Sequence, residues 1–234
     1  MTTSAVIVAA GRGERMRAET RKAFLELAGQ ALFLYAVEAF SRASRVDEIV
    51  VVVHPDDLDA ARAAVAPETI VVSGGATRRD SSLAGVRAAT GEIVLIHDGC
   101  RPFVDEALID RVLDAAERHG AAVPVLPSVD TLYRVAGSEG TGGAGATSRE
   151  VEIVLDRTTV ARVQTPQGFS RTAILAALES ASPTITDDGS AAVAAGIRVV
   201  VVDGVASNVK VTVQEDLRWA EAFAAYEGQA SPNA

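Results

Sequence analysis

Val6-Ile7-Val8-Ala9-Ala10-Gly11-Arg12-Gly13-Glu14-Arg15-Met16-Arg17, with Lys22 five residues further on, is the stretch that orders the rest of the chain. A short apolar run reads as a buried parallel strand, and it empties into a glycine loop whose backbone N–H groups can close around phosphate oxygens. Between Arg12 and Lys22 stand five cations, Arg12, Arg15, Arg17, Arg21 and Lys22, against Glu14 and Glu19, in a chain of formal net charge -9. The loop is a local positive site on an acidic molecule. A dinucleotide loop would carry a third glycine where Met16 stands, and an acid ending a second strand roughly 20 residues on. Here the next apolar strand, Ile49 to Val53, ends about forty residues after the loop, too far for that pattern. A P-loop needs Gly-Lys followed by Ser or Thr, and the chain has no such triplet.

Outward from the loop, Val- and Ile-rich runs alternate with helical patterns, the signature of βαβ units around a parallel sheet. The patterns predict strands near 5–9, 49–53, 69–72, 93–96, 121–126 and 198–202. They predict helices near 31–43, 56–65, 79–89, 105–118, 171–180, 187–195 and 214–226. A doubly wound, mostly parallel α/β sheet in a single domain over 1–234 follows, with its ligand crevice outside the carboxyl ends of the strands. Gly11, Gly74-Gly75 and Asp98 all fall at such ends. Residues 128–155 break the rhythm: Thr131 to Val135 and Val151 to Leu155 flank a glycine-rich tip and read as a hairpin arm leaving the body. An arm with nothing of its own to pack on commonly packs on a second subunit, so a homodimer is expected.

Composition narrows the partners. At 234 residues, 48% hydrophobic and 23% charged, the chain can bury a large core. Its single cysteine, Cys100, excludes an internal disulfide and suits a reducing compartment. The first strand follows Met1 to Ser4 directly, and no run approaches about 18 apolar residues, so neither signal peptide nor membrane span is expected and the reading is cytoplasmic. The cations form no long stripe, which argues against a nucleic-acid partner.

Two further constellations carry chemistry. In Ile96-His97-Asp98-Gly99-Cys100-Arg101-Pro102-Phe103, an Asp ending a buried strand can hold Mg²⁺, which prefers one or two carboxylates plus phosphate oxygens. Arg101 either forks onto a phosphate or pairs with that Asp. His97 points to the opposite face and is given a supporting role, and Cys100 reads as a packing residue. The carboxyl-terminal third holds Asp156-Arg157, Val163-Gln164-Thr165-Pro166-Gln167-Gly168-Phe169, Thr184-Ile185-Thr186-Asp187-Asp188 and Asn208-Val209-Lys210-Val211-Thr212. Thr186 and its acids also fit a helix start. Lys210, read as lying in an apolar strand, should point where a charge is rewarded.

As an ordered set, A-A-G-x-G-x-R-M, Lys22, G-G-x-x-R-x-x-S from Gly74 to Ser81, H-D-x-x-R-P-F, V-Q-T-P-Q-G-F, I-T-D-D and N-V-K-V-T resemble the 2-C-methyl-D-erythritol 4-phosphate cytidylyltransferases of the non-mevalonate isoprenoid pathway. The resemblance runs over nearly the whole chain. It implies a Rossmann-like nucleotidyltransferase fold, a homodimer joined by crossed arms, and Mg²⁺-dependent transfer of a cytidylyl group from CTP to the polyol phosphate with release of pyrophosphate. Carried over by position, Ala9, Ala10, Gly11, Gly13, Gly75, Ser81 and Gly99 would hold the nucleotide. Arg15, Lys22 and Lys210 would face the phosphates, and Asp98 the metal. Arg101, Thr131, Arg157, Thr165 and Thr186 would address the acceptor, Thr131 and Arg157 from across the dimer. Two alternatives stay open: a ribitol 5-phosphate cytidylyltransferase, and a nucleotide-binding copy that no longer catalyses.

Overall fold

A computed structural model of the chain describes residues 1–11, 21, 24–136 and 149–230. In chain order its strands are β1 (Thr3–Val8), β2 (Glu26–Leu27), β3 (Gln30–Ala31), β4 (Glu48–Val53), β5 (Ile70–Ser73), β6 (Ile93–Asp98), β7 (Ala121–Pro127), β8 (Leu132–Val135), β9 (Val151–Leu155), β10 (Ala161–Val163), β11 (Gln167–Ser170) and β12 (Val200–Asp203). Its helices are α1 (Leu32–Arg42), α2 (Leu58–Ala64), α3 (Arg78–Ala88), α4 (Glu106–His119), α5 (Arg171–Ser180), α6 (Asp188–Ala194) and α7 (Gln214–Ala230).

The main sheet runs β5-β4-β1-β6-β11-β7, with β12 on the outer side of β7 and β10 continuing the ladder beyond β11. β1 pairs in parallel with β4 and β6, β4 with β5, and β12 with β7, whereas β11 lies antiparallel between β6 and β7. β10 is also antiparallel to β7, so the expected mostly parallel sheet is present with two reversed strands, β10 and β11, that periodicity did not announce.

Both faces of the central strands β1, β4 and β6 are buried, and the period-2 alternation of each divides its side chains between them. Ala5, Ile7, Val51, Val53 and Leu95 meet Phe33 and Phe40 of α1 and Leu108, Ile109, Val112 and Leu113 of α4. Val6, Val50, Val52, Val94 and Ile96 meet Leu83 and Val86 of α3 and Ile174 and Leu178 of α5. The helices start where local chemistry lets them. Asp105 caps α4 by accepting from Leu108 N at 2.7 Å, and Thr77 and Asp80 form a reciprocal capping box at the start of α3. Helix α4 ends at Gly120, whose φ of +84° places it in the left-handed region that glycine adopts without strain.

Strands β8 and β9 pair only with each other, so the expected hairpin forms; its tip, from Gly137 on, lies outside the described residues. Among the described residues, no helix is long and apolar enough to cross a membrane.

Candidate active site at the carboxyl ends of the strands

The strand order turns four carboxyl ends into one crevice. Ala9 N donates to Val52 O (2.7 Å), Gly74 N to Val53 O (2.7 Å) and Gly99 N to Val8 O (2.9 Å), so the segments leaving β1, β5 and β6 are tied to neighbouring strands. Ala9 and Ala10 are buried, Gly11 and Gly75 exposed. A Cβ on Gly74 would sit 2.5 Å from that of Ala10, so glycine is what lets these two segments close-pack. Gly75 N donates to Ser81 Oγ at 3.2 Å, and Ser81 Oγ donates to Thr77 O, fixing the loop at the start of α3. Gly99 is wedged among Ile7, Ala9 and Phe33. Of the expected loop residues, Gly13, Arg15 and Lys22 lie outside the described residues. Arg21, next to Lys22 in sequence, pairs with Asp56 and Asp57 just beyond β4.

Asp98 is the electrostatic centre. Alternation along β6 sends it to the α3 face, where Arg78 Nη2 lies 3.0 Å from its Oδ1; Lys210 Nζ lies 2.7 Å and Arg101 Nε 3.7 Å from its Oδ2. Burial alone would raise this carboxyl, but Arg78, Lys210 and Arg101 outweigh it and hold the group far below the ordinary carboxylate range. Arg78 also reaches Asp188, wholly buried at the start of α6, at 2.7 Å, and Ser82 Oγ at 3.1 Å. Burial opposes the charge of Arg78, yet Asp188 and Asp98 together raise its pKa above the usual arginine value. Two carboxylates against three cations leave this cluster positive by one charge, suited to an anion.

Beneath Asp98 lies a neutral support. His97 is fully buried on the α1 face, its ring edge-on to Phe40, with Nε2 3.1 Å from Arg101 O and Nδ1 3.1 Å from Thr165 Oγ1. A carbonyl only accepts, so Nε2 carries the proton and Nδ1 accepts from the Thr165 hydroxyl, which in turn accepts from Asp98 N at 3.0 Å. Burial pushes the imidazole down to about 4 from 6.5. Between those values the unfolded chain binds a proton that the native state refuses, so His97 leaves stability intact above pH 6.5 and erodes it as pH falls to about 4. The full loss is about 3 kcal/mol. Thermal melts from pH 7 to 4.5 should show this decline, and a His97→Gln variant, which cannot titrate, should show a flatter one. Equal slopes in both proteins would refute the attribution.

The remaining expected residues separate into support and rim. Arg101 is turned inward, its Nη1 donating to Asn208 O at 2.8 Å, and Thr165 is buried with its hydroxyl engaged below Asp98. Both anchor the site's floor in this conformation. Arg157 and Thr131 are exposed at the base of the arm, where Arg157 Nη1 donates to Val129 O at 2.8 Å, and Thr186 is exposed ahead of α6. Asp187, not Thr186, caps that helix, through Ser190 N. Lys210 reaches the charge it was expected to find, but the expectation of a strand is corrected: residues 204–213 form no strand, because Val211 N is tied to Cys100 O and Thr212 N to Asp216 instead of to a ladder.

Sequence reasoning passed over Arg78, seen only as a motif letter, and Gln164 and Gln167. Gln164 Nε2 donates to Val205 O and Asn208 O while its Oε1 accepts from Val205 N. Gln167 donates to Asp187 and accepts from Gly189 N. A buried glutamine satisfying backbone on a remote segment has no local signature; the cue available was two glutamines in the short run V-Q-T-P-Q-G-F.

A carboxylate that stays ionised and lies in a positive crevice fits Mg²⁺ delivered with a polyphosphate. Asp98 would hold the ion together with phosphate oxygens and water, and no cluster of three or more His, Cys, Asp or Glu side chains suited to a metal occurs among the described residues.

The chain is similar to known proteins over nearly its whole length. Residues 3–225 match the family model IspD: 2-C-methyl-D-erythritol 4-phosphate cytidylyltransferase. The chain is 41% identical over 229 residues to the 2-C-methyl-D-erythritol 4-phosphate cytidylyltransferase of Cereibacter sphaeroides, covering 94% of this chain and 96% of that protein. It is 40% identical to the bifunctional enzyme IspD/IspF of Rhodospirillum rubrum, where it covers 97% of itself but 58% of the relative; the chain thus spans little over half of such bifunctional relatives. Among solved structures, 4-diphosphocytidyl-2C-methyl-D-erythritol synthase from Anaerococcus prevotii superposes with a TM-score of 0.80 at 30% identity over 96% of both chains. The 2-C-methyl-D-erythritol 4-phosphate cytidylyltransferase of Thermus thermophilus gives 0.73 at 34% identity, covering 94% of this chain and 98% of that one.

Proposed function

Because the chain belongs to the 2-C-methyl-D-erythritol 4-phosphate cytidylyltransferase family, we propose that it transfers the cytidylyl group of CTP to 2-C-methyl-D-erythritol 4-phosphate, a step of non-mevalonate isoprenoid synthesis. The observation that carries the reading is the crevice at the ends of β1, β4, β5 and β6, with Asp98 ringed by Arg78, Lys210 and Arg101.

An acceptor phosphate has its second pKa near about 6, so at neutral pH it is an ionised nucleophile and needs no general base. One of its oxygens attacks the α-phosphorus of CTP, a P–O bond forms, the bond to the β-phosphate breaks, and pyrophosphate leaves. The protein must bring two anions together and stabilise charge on the reacting phosphates. Ala9, Ala10, Gly11, Gly13, Gly75, Ser81 and Gly99 frame the nucleotide in this reading, and Arg15, Lys22 and Lys210 meet the phosphates. Thr131, Arg157 and Thr186 take the acceptor at the rim, while Arg101 and Thr165 hold the floor. Mg²⁺, when bound beside Asp98, supplies charge neutralisation along the triphosphate. The cytoplasm, with its nucleoside triphosphates and reducing conditions for Cys100, is the corresponding location.

The active form in this reading is a homodimer. A two-stranded hairpin is marginal alone, and β8 and β9 expose Tyr133, Val151, Ile153 and Val154, an apolar surface that a second copy of the arm would cover. Light scattering should give a dimer for the native chain, and a monomer with reduced turnover when Ile153 and Val154 are both replaced by Asp. A native monomer would contradict it.

The test of the activity is pyrophosphate release from CTP with methylerythritol phosphate or ribitol 5-phosphate as acceptor. Turnover with the first alone, abolished by EDTA, is the expected result. Turnover with the second alone reassigns the acceptor, and silence with both would support the non-catalytic copy.

A further inference from the structure

Three cations crowd Asp98, and they are held in different ways. Arg78 is fixed twice over, by Asp188 and by Ser82, with its side chain 21% exposed. Arg101, 10% exposed, is fixed by the carbonyl of Asn208. Lys210 has one ion-pair partner among the described residues, Asp98, and its side chain is 38% exposed. Its backbone is nevertheless anchored on the far side, by Val211 N to Cys100 O at 2.9 Å and Thr212 N to Asp216 Oδ2 at 2.7 Å. Only the flexible side chain of Lys210 is therefore free to leave.

We infer that the two oxygens of Asp98 have separate duties: Oδ1 is held by Arg78, while Oδ2 exchanges cations, paired with Lys210 in the free protein and released to a divalent metal when the nucleotide draws Lys210 onto its phosphates. The inference rests on the reading of Asp98 as the metal carboxylate. It follows from charge and place. With Lys210 seated, Oδ2 is occupied at 2.7 Å and the cluster is net positive, so a bare divalent ion is repelled. A polyphosphate offers Lys210 a larger negative charge, and its departure both opens the 2.7 Å contact on Oδ2, leaving Arg101 Nε at 3.7 Å, and removes one repelling cation. Arg78, bridged to Asp188, keeps the carboxylate from turning during the exchange. Metal and nucleotide then bind cooperatively, and each must raise the affinity for the other by the same factor.

The exchange makes a counterintuitive demand: removing a lysine from the active site should improve metal binding to the free protein. Mn²⁺, titrated against the protein without nucleotide and followed by electron paramagnetic resonance, is expected to bind Lys210→Met and Lys210→Gln about tenfold tighter than wild type. Lys210→Arg, which can still pair with Asp98, should show no gain. Adding Asp98→Asn to Lys210→Met should abolish the gain. Folded Met and Gln variants that bind Mn²⁺ no tighter than wild type would overturn the exchange. A distinct result, Mn²⁺ binding in the presence of CTP that is unchanged by Asp98→Asn alone, would instead overturn the assignment of Asp98 to the metal.

Discussion

An Asp98→Asn variant is expected to lose turnover by about a thousandfold while remaining folded, the size of effect that follows when a group organising charge at a reacting phosphate is neutralised. Asparagine matches the shape of aspartate and leaves the bond from residue 98 N to Thr165 Oγ1 in place. It removes the one anion that Arg78, Lys210 and Arg101 share. The folding cost is limited because Lys210 can turn out to water and Arg78 retains Asp188. Steady-state rates beside a thermal melt check this. Near-native turnover in a folded Asp98→Asn protein would remove Asp98 from the reaction.

Replacing Arg78 by methionine should have the reverse profile, with stability as the first casualty. Asp188 is wholly buried, and its Oδ1 already has no hydrogen-bond partner among the described residues. Losing Arg78 leaves it an uncompensated charge in the interior, which typically costs about 3–5 kcal/mol. For a chain of this size that corresponds to a fall in melting temperature on the order of 10 °C. Arg78→Lys should fall between the two, because an ammonium cannot bridge both carboxylates as the guanidinium fork does. An Arg78→Met protein that melts with the wild type would show that the bridge from β6 to α6 contributes nothing.

These two residues also mark what could be read from sequence and what could not. The strands at 48–53, 93–98 and 121–127 were legible because a strand buried on both faces must be apolar throughout, and that pattern is local. Asp98 was legible for the complementary reason: an acid closing such a strand has only the crevice to face. β11 was not legible. Gln167 and Gly168 are poor strand formers, and the segment is extended because a slot between β6 and β7 awaits it; a Cβ on Gly168 would come within 2.9 Å of Val112 and Ala116 of α4. Arg78 was hidden by distance, since its two carboxylate partners lie 20 and 110 residues away and nothing near it in sequence announces either. His97 shows partial legibility: alternation gave its direction, while its bonds to Thr165 and Arg101 depend on tertiary packing.

The reaction proposed for this crevice joins a cytidylyl group to a polyol phosphate. Phosphorus NMR of purified protein with CTP, Mg²⁺ and 2-C-methyl-D-erythritol 4-phosphate tests it most directly. CTP and acceptor are expected to disappear in equal amounts as a cytidine diphosphate ester and pyrophosphate appear in equal amounts. CTP and acceptor left intact by folded protein, or CTP hydrolysed with the acceptor untouched, would contradict it.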